Sequence, residues 1–246
     1  MSIGTKILNK IVSLAQATGG QVEGNKDITD EMKNLARTTA EEGVVMLKND
    51  GALPLSGNDV VAVFGRVQND WFYVGYGSGG DVKPPYKVNL IKGLENEGVK
   101  IDETLKKIYA DWSVKNVPYE GFWGHWPFHF DEMPLSDKVV GEAAKRANKA
   151  IVVIGRAAGE DREQKLEKGS FYLTDEEKKM LSVVTKNFKS TILIIDNGNI
   201  MDLSFIDAYG SALSAALYVW NGGMESGNAV ARVLSGKVNP SGRLSD

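Results

Sequence analysis

Four stretches of the chain are apolar at consecutive positions: VVAVFG (60–65), AIVVIG (150–155), TILIID (191–196) and ALSAALYVW (212–220), each bounded by glycine or polar residues at its far end. Alternate side chains of a strand point to opposite faces, so an uninterrupted apolar run of this length is the pattern of a parallel strand buried on both sides. Between these runs the period changes. KVVGEAAKRANKA precedes the second run, TDEEKKMLSVVTKNF the third, and MESGNAVARVLSG follows the fourth, all with helical spacing of apolar positions. Thr174 with Glu177 three residues on is a capping-box signature and marks where one of these helices begins. GVKIDETL (98–105) adds a short strand. Upstream, Ile28-Thr29-Asp30 opens a further helical pattern in which Leu35, Ala36, Ala40 and Val44 share a face, running to KNDGALPL, where Asn49, Asp50, Gly51 and Pro54 make the stop. The alternation predicts an α/β fold: a doubly wound, mostly parallel sheet with helices on both faces.

Composition changes this picture little. The chain has 246 residues, a formal net charge of -3 and no lysine- or arginine-rich block, which argues against nucleic acid and against an anionic membrane surface as partners. It has no cysteine, which removes disulfides, thiolate nucleophiles and cysteine-held metal clusters. In MSIGTKILNKIVSLAQATGG, Lys10 interrupts the apolar positions, so the start does not read as a signal peptide and the expected location is cytoplasmic. Ile7, Leu8, Ile11, Val12 and Leu14 recur at helical spacing instead and predict a short amphipathic helix in a 1–30 extension, packed on the body or on a neighbour. Whether the chain assembles with copies of itself is open.

In open sheets of this kind ligands collect at the carboxyl ends of the strands. Those ends carry GRVQNDWFYVGYGSGGDV, GRAAGEDRE and DNGN. Gly75, Gly77 and Gly80 have the spacing of a dinucleotide fingerprint, but a run of aromatic and polar residues separates them from the strand and Lys83-Pro84-Pro85 follows where a helix should open. Both departures count against a nucleotide-dependent enzyme. Ser78 lacks the glycine two positions before it that a nucleophile elbow requires, and with no cysteine a hydrolytic triad has little support. The loop is either a tight glycine-permitted turn or a place where backbone and the Ser78 hydroxyl approach a polar ligand, with Tyr73 and Tyr76 as stacking walls; a sugar fits that description. His125 and His129, the only histidines, stand four apart with Pro127 between them, which spoils a regular zinc helix. The aromatic segment YEGFWGHWPFHFDEMP (119–134) reads as core, as interface or as a binding wall. In GRAAGEDRE, Glu160, Asp161 and Glu163 follow a buried strand, flanked by Arg156 and Arg162. They form either a solvated acidic loop or a site where one carboxyl serves as a general acid.

ARTTAEEGVVMLKNDGALPL, FGRVQNDWFYVGYGSGGDV, VVIGRAAGEDRE and WNGGMESGNAVARVLSGKVNPSGRL resemble, in this order, the α/β sandwich domain of family 3 glycoside hydrolases, from about Leu35 to Leu244. The resemblance implies that residues 31–246 are that domain in a retaining β-glycosidase, most often a β-glucosidase, acting on terminal β-linked sugars without a cofactor or metal. It implies that an aspartate nucleophile comes from a separate β/α barrel and that the sandwich lends the acid/base glutamate. Glu160 matches that glutamate, with Glu163 a second carboxyl nearby, and Gly77, Ser78 and Gly79 match a loop that reaches the sugar, with Tyr76 beside it.

No barrel pattern is present in the chain. Met1 and the aromatic FWGHWPFHFDEMPL suit the branch of the family in which the sandwich precedes the barrel, so the expectation is a portion of a longer enzyme, inactive alone. The glycine loop and the aromatic segment are then expected to form an exposed apolar surface facing the barrel. The competing expectation is a non-catalytic carbohydrate-binding or interaction module of the same fold.

Overall fold

A computed structural model of the chain describes residues 27–76, 84–119, 121, 126–160 and 164–245. The predicted N-terminal helix, Gly77, Ser78, Gly79, His125 and Glu163 lie outside the described residues.

Helix α1 (Asp30–Gly43) starts where Thr29 accepts a hydrogen bond from the Met32 N–H, so the 30/31 division falls in its first turn. The helical pattern expected to run on to KNDGALPL breaks at Gly43, and Leu35 is exposed rather than on a buried face. Val45–Asn49 is instead β1, paired antiparallel with β6 (Ala215–Tyr218). The β-branched pair Val44-Val45 suits a strand, and a partner distant in sequence overrides the helical spacing.

The remaining runs form the elements their patterns predict. β2 is Val60–Phe64, β3 Lys100–Ile101, β4 Lys149–Arg156 and β5 Thr191–Asn197. With β1 and β6 they make one six-stranded sheet among the described residues, in the order β1-β6-β5-β4-β2-β3, parallel except at β1. Helices α2 (Leu90–Asn96), α3 (Glu103–Lys115), α4 (Asp137–Arg146), α5 (Asp175–Asn187), the short α6 (Ser204–Tyr209) and α7 (Ser226–Leu234) complete the layers. Asn89, Asp102, Ser136 and Thr174 each cap a helix through a side-chain oxygen, and Thr174 with Glu177 forms the predicted capping box.

Alternation along the strands divides the core. Val152, Ile154, Leu193 and Ile195 pack with Tyr109 of α3, Val140 of α4 and Met180, Leu181 and Val184 of α5. Ile151, Val153, Ile192 and Ile194 pack on the other face with Leu90 and Leu94 of α2 and Val230 and Leu234 of α7. Each such side chain contributes about 1.5–3 kcal/mol by leaving water, and this sandwich is the rigid body that presents the loops at the carboxyl edge of the sheet.

Candidate active site

The first loop at that edge leaves β2 through Gly65, which has φ 101 and passes so close to β4 that a Cβ there would lie 2.1 Å from the Val153 carbonyl oxygen. A single 3-10 turn, Arg66–Gln68, follows. Arg66 is buried there, its guanidinium over the Trp112 and Phe130 rings and hydrogen-bonded to Asp70 and to the Asp131 and Asn116 carbonyls. The Arg66 N–H donates to both oxygens of Glu132, and the Met133 N–H donates to one of them. Burial pushes the Glu132 carboxyl up against those hydrogen bonds, to about 7.

Trp71 and Phe72 then turn inward. The Trp71 indole donates to Ser226 Oγ at 2.7 Å and the Phe72 N–H to Asp196 at 2.8 Å. Asp196 is fully buried at the end of β5 and also accepts from the Asn221 side-chain amide. Burial pushes its carboxyl well above the usual range.

The second loop leaves β4 through Arg156, which the sequence places as a flanking charge of the acidic stretch. In the structure it points into the core and pairs with Glu177 at 2.6 and 2.7 Å while donating to the Ser170 and Tyr172 carbonyls. The return of the loop is thereby anchored to α5. Ala157 N–H donates to the Phe128 carbonyl, so the aromatic segment lies against the base of this loop.

The two loops cross at Tyr76. Its N–H donates to the Ala158 carbonyl at 2.6 Å, and its carbonyl accepts from the Glu160 N–H at 3.0 Å. A Cβ on Gly159 would lie 2.0 Å from that same carbonyl oxygen, and Gly159 has φ 139, so only glycine lets the strands meet here. Glu160 sits just beyond the crossing as an exposed residue. Tyr76 is half-buried, with its ring stacked on Trp126 at 5.7 Å between centroids and 6° between planes. Of the site residues the sequence singles out, the structure thus brings Tyr76 and Glu160 together; Gly77, Ser78 and Gly79 lie outside the described residues, as does the Glu163 alternative.

Of the described aromatic side chains of the segment, Tyr119 is exposed. Trp126, Phe128 and Phe130 are half-buried, and Phe130 stacks on Phe72 at 4.7 Å. Exposed apolar surface at this edge comes from Leu166 (78% exposed) and Tyr172 (39%) after β4 and from Ile200 (49%) after β5. His129 packs on Gly169, its Nδ1 3.0 Å from that carbonyl oxygen, and no group of three or more metal-ligating side chains occurs among the described residues. Asp196, Asn221 and Glu132 were not legible as site residues. The DNGN stretch marks one strand end, yet nothing local connects it to Phe72 or Asn221.

Three kinds of comparison bear on this arrangement. The model of the glycosyl hydrolase family 3 C-terminal domain matches residues 44–246. A β-glucosidase of Ruminococcus albus is 42% identical over 223 residues, which cover 89% of this chain and 23% of that protein, and β-glucosidase A of Butyrivibrio fibrisolvens is 36% identical over 91% of this chain and 30% of its own length. Among solved structures, a β-glucosidase from Paenibacillus barengoltzii superimposes with a TM-score of 0.87 at 39% identity, covering 90% of this chain and 24% of that one. β-Glucosidase 3B from Thermotoga neapolitana, in complex with glucose, gives 0.78 at 34% identity over 87% and 30%. The chain therefore spans between 23% and 30% of the length of these relatives.

Proposed function

We propose, from the premise that this chain belongs to the glycosyl hydrolase family 3 C-terminal domains, that it carries the general acid/base of a retaining β-glucosidase and that Glu160 is that group. The observation that carries the reading is the Tyr76 crossing: two backbone hydrogen bonds fix the chain immediately before and at Glu160, while the residue itself remains exposed at the sheet edge. A group that must reach a substrate held by another domain needs this combination of a fixed base and an exposed position.

In this reading Glu160 protonates the leaving glycosidic oxygen, then removes a proton from the water that releases the sugar from the nucleophile. The nucleophile is an aspartate of a barrel domain outside residues 31–246, roughly 5–5.5 Å from the Glu160 carboxyl, as retention requires. Tyr76, backed by Trp126, and the Gly77-Ser78-Gly79 loop form the rim that meets the terminal sugar, and the exposed Leu166, Tyr172 and Ile200 abut the barrel. Names of the relatives above support a β-glucoside as substrate.

The test is leaving-group dependence in the protein that contains this chain. Glu160→Ala is expected to reduce kcat/KM about 10²- to 10⁴-fold for an alkyl β-glucoside but far less for a 2,4-dinitrophenyl β-glucoside, whose leaving group needs no proton. Unchanged turnover of both substrates would mean a non-catalytic module. The isolated chain should hydrolyse neither substrate until a separately expressed barrel is added.

A further inference from the structure

Asp196 lies beside Gly155 in the β4–β5 register and is 0% exposed, with no cationic partner among the described residues. A carboxyl taken wholly out of water without a counter-charge is costly, and packing alone would be better served by an apolar side chain. What the carboxyl does there is bridge. It accepts from the Phe72 N–H of the first loop at 2.8 Å and from Asn221 Nδ2, beyond β6, at 3.2 Å.

A second, independent feature points to the same place. Trp220, immediately before Asn221, is the residue other than glycine with positive φ among those described, at 53°. A bulky side chain in the left-handed region is strained and persists only when its surroundings hold it. Here the indole N–H donates to the Gly43 carbonyl at 2.9 Å and the ring packs on Tyr218 at 4.7 Å. The bend turns the Asn221 amide toward Asp196.

Both arms of the bridge end at the Tyr76 crossing. From Phe72 the chain runs directly on to Tyr76, and Gly155 makes room for the Phe72 ring, since a Cβ there would come within 2.8 Å of it. From Asn221 the contact passes through Gly198, where a Cβ would lie 2.4 Å from Asn221 Oδ1 and 2.7 Å from the Ala158 methyl. Ala158 is the residue whose carbonyl holds the Tyr76 N–H, and the Tyr76 carbonyl holds the Glu160 N–H.

We propose that Asp196 and Asn221 are positioning residues for glycoside cleavage: the hydrogen bonds that Asp196 accepts from Phe72 and Asn221 tie the end of β5 to the loops after β2 and β6 and set the reach of Glu160 through the Tyr76 crossing. This rests on the reading of Glu160 as the acid/base. In the intact protein, Asp196→Ala lowers kcat/KM for an alkyl β-glucoside about 10²-fold and for a 2,4-dinitrophenyl β-glucoside less than about 5-fold, because only the first needs a placed acid. Asp196→Asn keeps an acceptor for the Phe72 N–H and, with the Asn221 amide turned over, donates to the Asn221 Oδ1, and so restores the alkyl glucoside rate to within about 3-fold. Equal losses on both substrates, no loss on either, or an Asp196→Asn variant as impaired as Asp196→Ala would overturn the proposal.

Glu160→Ala in the same assay separates this from a failure of the acid assignment. Should Glu160→Ala show no leaving-group dependence, the acid is another group, and the bridge is read from amide hydrogen exchange instead. Asp196→Ala then accelerates exchange at Tyr76 and Glu160 at least about tenfold relative to Ile192 and Ile194 if the bridge holds the crossing. Uniform exchange across these four amides overturns it.

Discussion

Glu177 and Asp196 are both buried carboxyls behind the carboxyl edge of the sheet, 6% and 0% exposed, yet their surroundings drive them in opposite directions. Burial pushes Glu177 up, but the Arg156 guanidinium beside it outweighs that and, with the Thr174 N–H, holds the carboxyl below its usual range. Burial pushes Asp196 up as well; two neutral donors, Phe72 N–H and Asn221, offset it only partly, and the carboxyl lies well above its usual range. Depth sets the cost of a charge and the partner decides whether the charge is kept. Glu132 lies between them: with backbone N–H groups as its hydrogen-bond donors it reaches about 7. The three carboxyls tie loops at one edge of the sheet with three different electrostatic characters.

The largest expected effect comes from leaving one charge of the ion pair buried alone. Arg156→Met should lower unfolding free energy in urea by about 3–5 kcal/mol, and adding Glu177→Leu should recover most of it, since a matched apolar pair leaves no buried charge. A single-variant loss below about 1 kcal/mol would show that water reaches Glu177 and that the two sites are less alike than they look. Next in size is a direct contrast of amides. Glu177→Gln removes a charge-assisted pair and should cost about 2–3 kcal/mol, whereas Asp196→Asn breaks no ion pair and should cost under about 1 kcal/mol at pH 7. Equal costs would mean that Asp196 depends on its charge as much as Glu177 does and would collapse the comparison.

The smallest effect sharpens it through pH. Glu132 has its carboxyl raised from 4.5 to about 7 in the folded protein, so between those values the folded state holds a proton that the unfolded state has released. Its contribution to stability is therefore fully present at low pH, falls as pH rises through that window, and is constant above it. Glu132→Gln should flatten the dependence between about pH 4.5 and 7 by an amount on the order of 1–3 kcal/mol, read as the difference between variant and parent unfolding curves. A parent protein whose stability rises across that window by the contribution of this residue would reverse the sign and mean that the Arg66 and Met133 N–H groups outweigh burial at Glu132.

Strands β2, β4 and β5, the capping box at Thr174 and the helices between them were legible in the sequence, because contiguous apolar runs and a hydroxyl three residues before a glutamate are local signals. β1 was not. Its residues follow a helix with only Val44 between, and their strand character appears only in the pairing with β6. The carboxyl-edge loops were recognisable as the place to look, and Glu160 and Tyr76 as residues to weigh, but not that Tyr76 and Glu160 exchange a backbone hydrogen bond.

The amino-acid sequence by itself determined the α/β class, the order of the main strands and helices, and membership in a hydrolase domain family whose motifs it carries in series, since each depends on residues close together along the chain. Tertiary structure alone decided that Arg156 faces the core rather than the acidic loop, that Asp196 meets the Phe72 N–H 124 residues away, and that Phe130 of the aromatic segment stacks on Phe72 of the first loop. Those outcomes are set by which charges and rings the assembled sheet brings within reach of one another. Chain distance carries no trace of that proximity, and burial then turns it into the difference between a carboxyl held below its usual range and one pushed above it.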